Sequence, residues 1–305
     1  MKRVIITGAT GTIGVALVEQ MIKNNVEVLV LCREDSKRND RIPQHDLVTR
    51  RYCSLDELES IQNESNITYD VFYHFGWSGT TGVSRNNVDE QLRNVQYTLA
   101  AVGAAERFGC KKFIGAGSQA ECGRVEGLLS ASTPTFPENA YGIAKLCAGQ
   151  MSRVLCEQKG IAHVWTRILS VYGPYDGENT MVMSTIRSLM EKKVPSLTKG
   201  EQQWDYLYSK DAAKAMYLLG LKGVHGKIYS LGSGQTKPLI EYVKILRDQI
   251  ERDAELGIGV IPYSDKQVMY LCADITDLKN DTGFCPEYSY EEGIAETISW
   301  CKGRK

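Results

Sequence analysis

The stretch VIITGATGTIG, Val4 to Gly14, decides how the rest of the chain is read. Val4 to Thr7 is a β-branched run without polar alternation, the pattern of a parallel strand covered on both faces. Gly8, Gly11 and Gly14 follow, and Ile13, Leu17, Val18, Met21 and Ile22 then recur at helical spacing as far as Asn24 and Asn25. Strand, glycine turn and helix in that order make a phosphate site. Gly8 permits the tight turn, Gly11 lets the backbone approach a pyrophosphate, and Gly14 lets helix pack close to strand, with the positive helix end facing the anion. The expected cofactor contacts in this loop are Gly8, Thr10, Gly11, Thr12, Ile13 and Gly14.

A second buried strand, Val26 to Leu31, ends at Cys32 and Arg33. An acid about 20 residues beyond the glycines binds the ribose 2′-hydroxyl of the unphosphorylated dinucleotide. Here Arg33 stands 19 residues after Gly14, with Lys37 and Arg38 behind it. A cation there suits a 2′-phosphate, so NADP is expected. NAD is the alternative, with Arg33 stacked on the adenine and Glu34 or Asp35 on the ribose. Asp70 to Trp77 reads as a further strand, with Phe75, Gly76 and Trp77 expected along the cofactor and Ser78 beyond them toward substrate. Leu92 to Phe108 is a helical stripe, and Lys111 to Ser118 another strand. Strands alternating with helices predict an α/β doubly wound parallel sheet. Ligands gather at the carboxyl ends of such strands, where Gly8, Arg33, Gly76 and Ser118 fall.

The stretch YGIAK, Tyr141 to Lys145, lies in an amphipathic segment running through Leu146, Met151 and Leu155. Residues four apart on a helix share a face, so the phenol and the ammonium sit about a turn apart. A neighbouring cation favours the phenolate and suits the tyrosine to proton transfer. On its own the spacing is commonplace on solvated helix faces.

Composition sets the outer limits. Of 305 residues, 43% are hydrophobic and 24% charged, as in a globular protein with a large core. With 36 Lys and Arg against 37 Asp and Glu, no global field recruits nucleic acid or an anionic membrane surface. No apolar run approaches the roughly 20 residues that cross a bilayer, and the start lacks the apolar stretch of a signal peptide, so a cytoplasmic protein is expected. The nine cysteines include no C-x-x-C pair and read as reduced thiols. The four histidines are scattered without metal-ligand spacing, and no metal is expected.

Taken together, the glycine motif, Ser118 at a strand end and Tyr141 with Lys145 resemble the extended short-chain dehydrogenase/reductase family, which includes nucleotide-sugar epimerases, dehydratases and 4-ketoreductases. The likeness covers nearly the whole chain through His74, Asn94, RILSVYGP (167–174), WDYLYSKD (204–211), YSLGSG (229–234) and Gly283 to Pro286. It implies a Rossmann-type fold, a nucleotide-sugar substrate, a role in polysaccharide biosynthesis and a homodimer built through a helical bundle that includes the Tyr141 helix. By the same resemblance Tyr141 is the catalytic acid/base, Lys145 holds the nicotinamide ribose and depresses the tyrosine pKa, Ser118 binds the reacting oxygen, and Asn94 belongs to the cofactor site.

Departures from the family pattern narrow the chemistry. Sugar 4,6-dehydratases carry an Asp-Glu pair after the Ser/Thr, whereas this chain has Gln119 and Ala120, which argues against dehydration. Gln119 to Gly123 is closer to reductases of deoxy-hexulose nucleotides, with Cys122 in place of a usual tyrosine. Ser170 stands where many epimerases have a substrate-binding asparagine, and Cys53 replaces an aspartate that commonly contacts adenine. A division into a cofactor domain, 1–172, and a substrate region, 173–305, is expected, with parts of the latter returning to the former. Trp204 and Tyr208 join Ser78, Gln119 and Ser170 as candidate substrate contacts, core packing being the competing reading for the two aromatics, and Asp211 is expected to cap a helix over 212–221. The leading expectation is reduction of a keto group, at C4, on a nucleotide-linked deoxy sugar. The alternatives are an epimerase with tightly bound NAD and a non-catalytic NADP-binding regulator.

Overall fold

The β-branched run near the amino terminus forms β1 (Arg3–Thr7), and the glycine turn leads into α1 (Thr12–Lys23). The computed structural model describes residues 1–65 and 67–303. The chain continues through β2 (Glu27–Cys32), β3 (Val48–Tyr52), β4 (Val71–His74), α2 (Val88–Arg107), β5 (Lys112–Ser118) and β6 (Leu128–Leu129). Next come α3 (Ala140–Gln158), β7 (Ala162–Ile168), β8 (Ser170–Tyr172), α4 (Met181–Met190), β9 (Gln203–Trp204), β10 (Tyr206–Tyr208) and α5 (Ser209–Lys222). The last third adds β11 (Ile228–Leu231), β12 (Lys237–Pro238), α6 (Leu239–Ile250), β13 (Tyr270–Ala273), α7 (Thr276–Thr282) and α8 (Tyr290–Lys302).

Seven strands make one parallel sheet in the order β11-β7-β5-β4-β1-β2-β3. Strand direction of growth reverses between β1 and β4, which opens a crevice at their carboxyl ends. The strands are apolar on both faces because both are covered. Val4 and Ile6 pack with Leu17 and Met21 of α1 and Met216 and Leu219 of α5, whereas Ile5, Phe72 and Phe113 pack with Ala101 and Ala105 of α2 and Cys156 of α3. Burying each large apolar side chain stabilises the fold by about 1.5–3 kcal/mol.

The region beyond β8 gathers α4, α6 and α8 around a tyrosine cluster. Tyr242 and Tyr290 rings lie 4.6 Å apart, and Tyr206 and Tyr242 rings 5.1 Å. Beside it runs a small sheet in the order β12-β9-β13-β6. Residues beyond 172 return to the large sheet twice, since β11 pairs with β7 and α5 packs along α1. Asp211 does not cap its helix as expected. It lies inside the first turn of α5, and its carboxylate instead accepts the backbone N–H groups of Glu287 and Tyr288 at 2.9 and 3.0 Å, pinning the approach to α8. No helix among the described residues is long and apolar enough to cross a membrane.

Candidate active site

The glycines of the first loop are each used differently. Gly8 has φ +72°, and a Cβ there would come within 2.6 Å of the Phe75 carbonyl carbon. At Gly14 a Cβ would meet the Gly8 carbonyl oxygen at 2.3 Å. At Gly11 the nearest protein atom would be 3.7 Å away, so that side of the loop is open. The first turn of α1 has neither a side-chain cap nor an acidic residue. Open backbone, uncapped helix amides and the absence of negative charge fit a pyrophosphate. Thr10, Thr12 and Ile13 lie in this loop and first turn, and Arg41 Nη1 donates to the Thr10 carbonyl at 3.3 Å. Sequence reading missed Arg41, because nothing local shows that a residue past β2 folds back to the loop.

The two crevice strands are joined at their ends. Thr7 Oγ1 hydrogen-bonds His74 Nδ1 at 2.9 Å and accepts the Gly76 N–H at 3.2 Å. Burial, and secondarily the Lys145 cation, push His74 down to about 3, so the ring is neutral. Phe75, Gly76 and Trp77 follow β4 into the crevice mouth, where Trp77 Nε1 donates to Gln91 Oε1 at 2.9 Å. Asn94 is buried and its amide is spent on the Ser78 backbone in both directions at 2.9 Å, while the Ser78 hydroxyl bonds Glu90. Both act as clamps on the 76–87 loop. At the end of β2, Arg33, Glu34 and Asp35 are all exposed.

Ser118, Tyr141 and Lys145 come together through Gly142. A Cβ at Gly142 would sit 2.3 Å from the Ala120 carbonyl oxygen, so the start of α3 packs directly on the turn after Ser118. Asn139 caps α3 by accepting the Gly142 N–H at 2.9 Å. Ser118 Oγ accepts the Ala120 N–H at 3.2 Å, and the serine side chain lies near enough to the Tyr141 phenol to lower its pKa. One turn on, the buried Lys145 Nζ donates to the Ala116 carbonyl at 2.6 Å and lies 3.6 Å from the Trp77 ring centre. Burial brings Lys145 down to about 7, against the opposing pull of Glu121.

The groups around Tyr141 act on its phenol in opposite directions. Burial raises the phenol above its ordinary value, and the opposing influences are the Ser118 side chain and Arg85. The Arg85 guanidinium lies over the Tyr141 ring, 4.4 Å from its centre, whereas Lys145 Nζ is 5.8 Å from that centre and turned toward Ala116 and Trp77. Arg85 belongs to a one-turn helix, Gly82–Asn86, in a loop without hydrophobic periodicity, so sequence reading had no register by which to place it.

The remaining candidates divide. Gln119 lies partly exposed beside Ser118. Ser170 Oγ accepts the Trp204 indole N–H at 2.8 Å, so these two engage each other. Tyr208 is buried: β10 runs parallel to β8 beneath α8, and the phenol donates to Glu296 at 2.7 Å. The carboxylate nearest Ser118 in sequence is Glu121, which is turned inward against Trp165 and Arg167. No group of three or more His, Cys, Asp or Glu side chains among the described residues is arranged to hold a metal ion.

A doubly wound sheet with an open glycine loop at its switch point, and Ser, Tyr and Lys beside it, defines an enzyme of the extended short-chain dehydrogenase/reductase type. Residues 4–232 match the NAD dependent epimerase/dehydratase family, and the chain belongs to that family. It is 24% identical to dTDP-glucose 4,6-dehydratase of Neisseria meningitidis serogroup B, over 98% of this chain and 93% of that protein. Its fold is similar to that of UDP-N-acetylglucosamine 4-epimerase from Methanobrevibacter ruminantium M1 in complex with UDP-N-acetylmuramic acid, with TM-score 0.89 and 23% identity over 100% and 99% of the two chains. It is likewise similar to UDP-glucuronic acid 4-epimerase from Bacillus cereus in complex with NAD, with TM-score 0.86 and 18% identity over 99% of each chain.

Proposed function

We propose that this enzyme is an NADPH-dependent reductase acting on a keto group, at C4, of a nucleotide-linked deoxy-hexulose. The observation that carries the reading is the packing of the Tyr141 end of α3 directly on the turn after Ser118, in which positions 119 and 120 hold no carboxylate. Two neutral hydroxyls suit a carbonyl oxygen about to gain charge, while elimination of water needs an acid and a base that this turn does not offer. Ser118 and Tyr141 donate to the carbonyl oxygen, and Tyr141 passes its proton to it as the alcohol forms. Arg85 over the ring steadies the resulting phenolate, which solvent then reprotonates.

The loop amides from Gly8 to Gly14 would hold the pyrophosphate, Phe75 to Trp77 would line the nicotinamide side, and Lys145 would take the ribose hydroxyls. When bound, the reduced nicotinamide supplies the hydride that balances the proton from Tyr141. Arg33, exposed at the end of β2, supports the 2′-phosphorylated form. Gln119, Ser170 and Trp204 are proposed to face the sugar nucleotide. The cofactor half is 1–172 and the substrate half 173–305, less α5 and β11. We also infer a cytoplasmic homodimer, because Leu92 of α2 and Ile143, Met151 and Val154 of α3 are exposed apolar residues on neighbouring helices.

A 4-epimerase with retained NAD is the competing reading, supported by Glu34 and Asp35 beside Arg33 and by a site that works in either redox direction. Mass analysis of nucleotide retained through purification, followed by turnover of 4-keto deoxy-sugar nucleotides with NADPH and NADH, separates the two. Exchangeable cofactor, preference for NADPH and loss of that preference in Arg33→Ala are expected. Retained NAD with no net consumption of NADPH would sink the reductase reading.

A further inference from the structure

Beneath the hydroxyl pair lies a buried ion pair that takes no part in the proposed reaction. Glu121 and Arg167 are 1% and 2% exposed at the side chain, with 3.3 Å between Arg167 Nε and Glu121 Oε2. Glu121 Oε1 accepts the Ser118 backbone N–H at 2.8 Å and the Trp165 indole N–H at 3.0 Å. Arg167 Nη1 donates to the Ser130 and Ala131 carbonyls at 3.0 and 3.1 Å, next to β6 and the small sheet on the substrate side. Placing two charges where water cannot reach them costs several kcal/mol per ion before their attraction is counted. An apolar pair would fill this space at less cost, so stability alone gives a weak reason for the arrangement.

What the pair touches supplies a stronger one. We propose that Glu121 is a positioning residue for the proton-transfer site, fixing Ser118 through its backbone N–H and supplying the buried negative charge beneath Tyr141 and Lys145. The proposal rests on the reading of those residues as the reactive set. Charged and titratable groups face them from four sides: Arg85 from the 76–87 loop, His74 from β4, Glu121 from the turn after β5, and Arg167 from β7 behind Glu121. Of these, Glu121 is the negative one, and its charge raises the proton affinity of both Lys145 and Tyr141. Glu121 thus opposes the effect of burial on Lys145 and adds to it on Tyr141, while burial raises the proton affinity of Glu121 itself against its hydrogen bonds from Ser118 and Trp165.

The test is Glu121→Gln in the full chain, which keeps shape and an acceptor for the Ser118 N–H but removes the charge. Phenolate absorbance is titrated in the wild type and in Glu121→Gln, each minus its own Tyr141→Phe counterpart. The midpoint is expected to move to lower pH, and the high-pH fall in kcat to move down with it, while Ser118 stays in place. A thermal midpoint that falls while the phenolate midpoint stays in place would show a structural ion pair and overturn the proposal. If Glu121→Gln does not fold, Glu121→Gln with Arg167→Met leaves no unpaired buried charge, and a downward shift reduced by the loss of the opposing Arg167 charge is expected. Since this titration needs no substrate, it decides the role of Glu121 even if Tyr141→Phe retains full turnover, which would instead overturn the proposed function.

Discussion

The phenol of Tyr141 must release a proton from a place where burial disfavours its anion, so whatever stabilises the phenolate sets the rate. Replacing Tyr141 by Phe should lower kcat by about 10²–10⁴-fold, the usual contribution of a positioned acid, with NADPH binding preserved by calorimetry. Arg85→Leu removes the cation over the ring. The phenol should then hold its proton to higher pH, so the high-pH fall in kcat moves upward while the plateau drops, as a pH–rate profile would show. That sign is opposite to the one expected for Glu121→Gln, so the two variants separate the influences above and below the ring. Ser118, Tyr141 and Lys145 stood out in the sequence by type and spacing, and the fold brings them together through Gly142. Sequence reading assigned the tuning cation to Lys145 because helical spacing is visible in a sequence, whereas Arg85 reaches the ring from a loop whose path depends on Gln91 and Asn94.

At the level of elements, the strand read from Lys111 to Ser118 contains glycines that no strand pattern explains. A Cβ at Gly115 would lie 2.1 Å from the Trp165 ring, one at Gly117 2.3 Å from its Nε1, and one at Gly149 2.7 Å from Cε2. Three glycines on β5 and α3 thus clear a slot for one indole of β7, whose N–H then reaches Glu121. Gly117→Ala should cost about 1–3 kcal/mol in urea unfolding through overpacking, and should lower kcat as well because it disturbs Glu121 and so Ser118. Phe113, Ile114 and Ala116 announce the strand on their own, but the slot depends on a tryptophan far along the chain, which is why it was not legible. The glycines at 8, 11 and 14 were legible, since their partner loop and helix adjoin them in sequence.

For the molecule as a whole, the exposed apolar row on α2 and α3 makes an association prediction. Ile143→Glu combined with Met151→Glu should convert a dimer to a monomer in sedimentation, with little change in the unfolding midpoint because both side chains are already outside the core. The doubly wound sheet was legible from its alternation of strands and helices, and the expected return of later residues fits the positions of α5 and β11. That return also governs the order in which a ribosome can deliver a finished protein. When residue 172 emerges, β7 still has an open edge and α1 an uncovered apolar side, because β11 and α5 have yet to be made. An unpaired edge of this kind invites pairing with other chains. A product terminated at residue 172 should therefore accumulate in the pellet of a lysate, while one extended through 231 should remain partly in the supernatant. Cells making this enzyme would have to shield the nascent sheet until β11 has been made.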